Sequence, residues 1–267
     1  MSVDLSVLTP FDWALLALGG MVIGFSKTAF SGLGTLVAVI FALVLPTRAS
    51  TGAIVPLLIL GDVIAVSLYR RHADWKLLVR LLPYLLGGLL LGVVFLDTVD
   101  DVALRRFLGV LLLVLAALQV RSLLRPASPP DASEPPQVSG AGPASWGPVR
   151  RRVTAALAGG GAGFATMVAN AAGPISSMYL LVMRVNKMAF VGTAAWLYAI
   201  VNVTKVPFSV QLGFINAESL KLDLMLAPAL LLGAFIGVKV LRRVPQQLFT
   251  RLTLVLTAAS AVALLLL

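Results

Sequence analysis

Residues 24–34 read GFSKTAFSGLG, and residues 163–174 read GFATMVANAAGP. Each stretch interrupts an apolar run with glycines and small polar residues, and each is followed by an unusually short apolar segment. The segments 32–46 and 173–184 fall below the roughly 20 residues that an α-helix needs to cross a bilayer. Short segments at corresponding places in two halves of a chain point to broken or re-entrant helices. Irregular backbone at membrane depth survives only where protein buries it or where it lines a wet cavity.

The rest of the chain supplies the membrane context. Of 267 residues, 59% are hydrophobic and 12% charged, and the mean hydropathy is +0.99. A soluble domain carries about 25% charged residues. Apolar segments follow one another at about 12–28, 32–46, 49–69, 75–96 and 102–121, then 152–168, 173–184, 188–209, 219–241 and 246–266. The fold expected is an all-α polytopic membrane protein. A Pro-, Ser- and Gly-rich linker, 123–150, divides it into a first repeat (1–122) and a second (151–267). Residues 1–10 lack a basic n-region, so a cleaved signal peptide is not expected.

The two halves are copies. Gly20, Gly24, Phe25 and Gly34 meet identical residues 139 positions on, at Gly159, Gly163, Phe164 and Gly173. Arg48 meets Lys187 at that offset; Gly52 meets Gly192, and Asp62 meets Asn202, at 140. Pro83, Gly88, Gly92, Val99 and Arg106 match Pro228, Gly233, Gly237, Val244 and Arg251 at 145.

Charge then sets topology. The net charge of +10 would suggest nucleic acid in a soluble protein. In a membrane chain it reads as cytoplasmic Lys and Arg, and no nucleic acid is expected. With the loop after the third segment inside, Arg70, Arg71, Lys76 and Arg80 are cytoplasmic. So are Arg121, Arg125, Arg150, Arg151, Arg152, Arg184, Lys187, Lys239, Arg242, Arg243 and Arg251, making fifteen of the 21 basic residues. Arg48, Arg105, Arg106 and Lys221 fall outside, and both termini are placed outside. Each half crosses an odd number of times, five if the paired short segments span and three if they re-enter. The repeats are therefore expected to be inverted, each opening with a broken or re-entrant hairpin.

The breaks are the candidate substrate site. Ser31 and Asn170 are equivalent, and both residue types favour the helix N-cap; Pro174 suits a first turn. Two helix N-termini converging inside the membrane would bind an anion. The residues expected to contribute are Ser26, Lys27, Thr28, Ser31, Gly32 and Gly34 at the first break, and Thr166, Asn170 and Gly173 at the second. Lys27 brings a full positive charge, unless it is simply solvated at a cytoplasmic tip. Asp62, inside the apolar run LLILGDVIAV, is either a proton-coupling group or a counter-ion in packing. Asn202 is its equivalent. Lys205, in NVTKVPFS, either contacts the anion or snorkels to the interface. Close packing through small residues is the bland alternative for the breaks as a whole.

Chemistry is a poor fit. The chain has no Cys, no HExxH and one His, His72, in the loop YRRHADWK. No enzyme activity, metal or cofactor is expected. A fixed anion channel is a closer rival, although paired breaks in inverted repeats favour alternating access. A homodimer through small-residue faces is compatible with the sequence.

At GFSKTAFSGLG, at its second copy GFATMVANAAGP and at NVTKVPFSVQLGFIN, the sequence resembles the TauE/SafE sulfite-exporter family of membrane permeases. The resemblance covers essentially the whole chain. It implies export of sulfite or an organosulfonate such as sulfoacetate across a bacterial inner membrane. Other small anions, carboxylates included, remain open. The second break departs from the fuller glycine pattern, with Ala171-Ala172 where the first has Gly32-Leu33.

Overall fold

The computed structural model describes residues 7–30, 33–45, 52–100 and 146–265, with Phe107, Val110, Val114 and Ala117 between them. Ser31, Gly32, most of the expected segment 102–121 and most of the linker lie outside the described residues. Regular structure among the described residues is helical. The helices are α1 (Pro10–Thr28), α2 (Gly34–Val44), α3 (Val55–Tyr69), α4 (Trp75–Thr98), α5 (Pro148–Ala169), α6 (Ala172–Val182), α7 (Lys187–Gln211), α8 (Ala217–Arg243) and α9 (Gln246–Leu265).

This is an all-α membrane protein. Helices α4, α7 and α8 are long and apolar enough to cross a bilayer. Their outward surfaces suit lipid: Val79, Leu90, Leu91 and Val94 on α4 and Leu224, Leu231 and Phe235 on α8 are exposed. Large contiguous apolar surface of this kind is rare on a soluble monomer.

Local sequence explains where the helices start and stop. Thr9 and Asp12 form a capping box ahead of α1, with Pro10 in the first turn. Asp74 accepts from the backbone amides of Lys76 and Leu77 and so caps α4. Asn186 caps α7 through Ala189 N at 2.9 Å, and Asn216 with Ser219 forms a second capping box at α8. At the far end of α8 the Lys187 ammonium donates to the carbonyls of Leu241 (3.1 Å) and Val244 (2.7 Å). A cation is well placed against those orphan carbonyls.

Glycines decide the packing. A Cβ on Gly24 would stand 1.9 Å from the Leu230 carbonyl oxygen, and one on Gly20 3.3 Å from that of Leu226. Helices α1 and α8 therefore run parallel, backbone against backbone. Helices α5 and α4 repeat the arrangement: a Cβ on Gly163 would stand 1.9 Å from Leu85 O, and one on Gly159 2.8 Å from Leu81 O. From the other side, Gly233 abuts Met21 O and Gly88 abuts Gly160 O. Every contact in one pair maps onto the other at the offsets 139 and 145.

The same pairs fix the depth of the breaks. The Thr28 hydroxyl, at the end of α1, bonds Ala234 O at 3.1 Å and abuts Gly237. Helix α8 continues six residues beyond Gly237, about 9 Å at 1.5 Å per residue. Met167, near the end of α5, abuts Gly92, and α4 likewise runs six residues further. Neither α1 nor α5 reaches the end of the long helix beside it. Helix α2 then folds back along α1, since Gly19 packs on Ile40 and Phe41. The first break is thus the tip of an antiparallel hairpin. Helix α6 follows α5 in the same way, with Gly161 beside Ile175.

Helices α3 and α7 cross antiparallel between these pairs. Gly192 lies against Tyr69 O and the Ala73 amide, and Asp74 N donates to Thr193 Oγ1 at 2.8 Å. The crossing brings Asp62 against Asn202.

Candidate functional site

Where the two hairpin tips meet the α3–α7 crossing there is a cavity of about 40 Å³. That is room for about three waters or one small ion. It is lined from α1 by Ile23, Ser26 and Lys27, and from α2 by Val37. Leu58 of α3, Thr166 of α5 and Asn170 follow, then Ala172 and Gly173 of α6, with Tyr198 and Asn202 of α7. Its lining combines apolar side chains with hydroxyls, amides and an ammonium.

Charge is concentrated around Lys27. The Lys27 ammonium stands 2.6 Å from Asp62 Oδ1, with side-chain exposures of 11% and 1%. It also lies 4.7 Å from the centre of the Tyr198 ring, a cation–π contact. Asn202 Nδ2 donates to Asp62 Oδ2 at 2.6 Å. Asp62 therefore meets an ammonium on one oxygen and an amide on the other, as a carboxylate at this depth requires. The Tyr198 hydroxyl is itself hydrogen-bonded to Ser176 Oγ.

The second cation is Lys205. Only 1% exposed, it donates to Thr166 O at 3.0 Å and to Asn170 Oδ1. Snorkelling does not describe it, because its ammonium points into the bundle rather than toward the interface. With Lys27 and Asp62 it gives the buried cluster a formal charge of +1.

Asn170 behaves differently from expectation. It closes α5 in the left-handed region at φ 51°, ψ 27°, while Ala171 stands at the N-cap of α6 without a side-chain bond. Asparagine is one of the few residues that tolerates this conformation, and its side chain serves Lys205. The N-terminus of α6 is left without a side-chain cap, with Ala172 and Gly173 on the cavity. Leu33, ahead of α2, likewise makes no side-chain cap bond; the expected cap Ser31, and Gly32, lie outside the described residues.

Among the remaining sequence candidates, Ser26, Lys27, Thr166, Asn170, Gly173 and Asn202 meet at the cavity. Gly34 opens α2. Thr28 is placed elsewhere: its hydroxyl bonds Gly24 O at 2.9 Å and Ala234 O, so it joins α1 to α8 and is not among the lining residues. Sequence reasoning passed over Tyr198, Ser176 and the apolar wall of Ile23, Val37 and Leu58. The one available signal was positional, because Tyr198 is the 140-offset equivalent of Leu58 and lies one turn before Asn202.

Residues 16–264 match the family described as Sulfite exporter TauE/SafE. No curated protein and no solved structure matches the chain. A match over almost the whole length places the chain in that family, and it belongs to it.

Proposed function

We propose that this TauE/SafE family member is a secondary transporter that exports a small anion, sulfite or an organosulfonate, across a bacterial inner membrane, coupled to protons. The carrying observation is the buried Lys27–Asp62–Lys205 cluster beside a cavity between the two hairpin tips. A net positive charge in a low-dielectric pocket attracts an anion strongly. The uncapped N-terminus of α6 adds amide donors to the same space.

Two inverted repeats would supply the alternating access. The matched glycine contacts of α1 with α8 and of α5 with α4 support that architecture, as does the antiparallel crossing of α3 and α7. In this reading α1 enters from outside and α5 from the cytoplasm, both termini are outside, and the linker is cytoplasmic.

Protonation of Asp62 would remove the carboxylate charge that Lys27 now neutralises. The ammonium would then be free for the anion, and the cluster would rise to a formal +2. One proton would thus accompany one additional negative charge. The test is uptake of sulfite, sulfonates, sulfate and carboxylates into liposomes bearing the purified protein. Saturable flux of at least one of them, reduced in Lys27→Gln, supports the proposal; undiminished flux in that variant removes its electrostatic basis.

A further inference from the structure

Asp223 lies in the first two turns of α8, one helix away from the cluster, and has no part in the site described so far. It is 6% exposed, and neither carboxyl oxygen has a hydrogen-bond partner of normal geometry among the described residues. Leu222 and Leu226 beside it join Leu16, Leu57 and Leu58 in one apolar cluster. Among the described residues, the polar group that faces it is the backbone amide of Leu57, in the first turn of α3. That amide has no acceptor within its own helix.

Among the described residues, the charged groups of the packed elements do not neutralise it. On α8 itself Glu218 and Lys221 pair with each other at 2.7 Å, while Lys239, Arg242 and Arg243 sit at the opposite end. On α1, Asp12 is tied to Thr9 and Lys27 to Asp62. On α3, Asp62 is the one carboxylate, five positions and about 7.5 Å of helix beyond Leu57. An ionised carboxylate without counter-ion or full hydrogen bonding is costly in such a place, whereas a carboxylic acid is not. A metal cation is the wrong occupant, because the amide-bearing N-terminus of α3 faces the group.

We propose that Asp223 is a second proton-binding residue, which exchanges protons between the solution at the Glu218–Lys221 end of α8 and Asp62. In the transfer step the O–H bond on Asp62 breaks, water carries the proton past Leu58, and an O–H bond forms on the Asp223 carboxylate; Asp62, ionised again, reclaims the Lys27 ammonium and the anion is released. In the release step the Asp223 O–H bond breaks and the proton passes to external water as a hydronium ion. This inference rests on the proton-coupled reading above.

Two measurements test it separately from that reading. Infrared difference spectra recorded across a pH titration should contain a protonated-carboxyl band that Asp223→Asn removes and Asp62→Asn leaves in place. A spectrum unchanged by Asp223→Asn overturns the proposal whatever the substrate. In liposomes containing a pH-sensitive dye, Asp223→Asn should keep sulfite counterflow and lose sulfite-driven proton movement, with Asp223→Glu restoring it. Asparagine is isosteric and presents an amide oxygen that the Leu57 amide can face as it faces the carboxyl group, so loss of the fold is not the expected cause. Wild-type proton movement in Asp223→Asn sinks the role of Asp223 alone. Sulfite flux without proton movement in the wild-type protein sinks the coupled mechanism with it.

Discussion

Asp62 and Asn202 occupy the same position in the two halves, 140 residues apart, and they hydrogen-bond each other at 2.6 Å. In the inverted-repeat architecture proposed above, the operation relating the halves would pass between these two residues. The contact places a carboxylate opposite its uncharged analogue, with Lys27 beside Asp62 and no lysine at the equivalent position, Thr166. The difference between Asp and Asn leaves α3 with a buried carboxylate and α7 with an amide, three positions before the buried Lys205.

Removing one partner of the buried pair should cost more than removing both. Lys27→Gln leaves Asp62 without its counter-ion and is expected to destabilise the protein by about 3–5 kcal/mol. Lys27→Gln with Asp62→Asn should recover most of that loss. Thermal unfolding of both variants in detergent measures it, and equal stability of the single and double variants would contradict the pairing.

Asp62→Asn leaves Lys27 without its counter-ion and should also lose stability, while the variant amide keeps the hydrogen bond with Asn202. Its anion flux should no longer respond to an imposed pH gradient. Flux in liposomes at several gradients reads this directly, and an unchanged dependence would exclude Asp62 from coupling. Stepwise currents in a planar bilayer would instead identify a channel.

Asn170 has two separable duties. Asn170→Gly keeps the left-handed backbone and deletes the acceptor for Lys205, whereas Asn170→Ala deletes both. Glycine should thus be the more stable of the two variants by about 1 kcal/mol. Both should weaken anion transport to a similar degree. A transport defect confined to alanine would show that only the backbone matters.

Glycine substitutions should divide sharply by place. Gly24→Ala and Gly163→Ala force a methyl onto a backbone carbonyl and should cost at least about 1–3 kcal/mol. A Cβ on Gly87 meets nothing within 4 Å, so Gly87→Ala should be neutral or slightly stabilising. Expression level and melting temperature of the three variants distinguish these outcomes.

Much of the fold was legible because close helix contacts restrict residue type: Gly24 and Gly163 recur where only glycine fits. The depth of the breaks was not legible, since it depends on where Thr28 and Met167 fall along the neighbouring helices. Asn170 was misread because asparagine favours both an N-cap and a left-handed helix end, and local sequence does not separate the two. The place of Thr28 was not legible because a hydroxyl beside a break looks the same whether it faces a cavity or bonds back to its own helix. The burial of Lys205 follows from Thr166 and Asn170, 39 and 35 positions away, and nothing near Lys205 announces them.

The glycine notches between α1 and α8, and between α5 and α4, have a mechanical consequence. Carbonyls seated in glycine notches mesh like teeth, and a pair joined this way resists sliding along its length. Each pair is in effect a single rigid strut. Whatever deformation carries an ion past the cluster must then be taken up in the short return limbs α2 and α6 and in the pivot where α3 crosses α7.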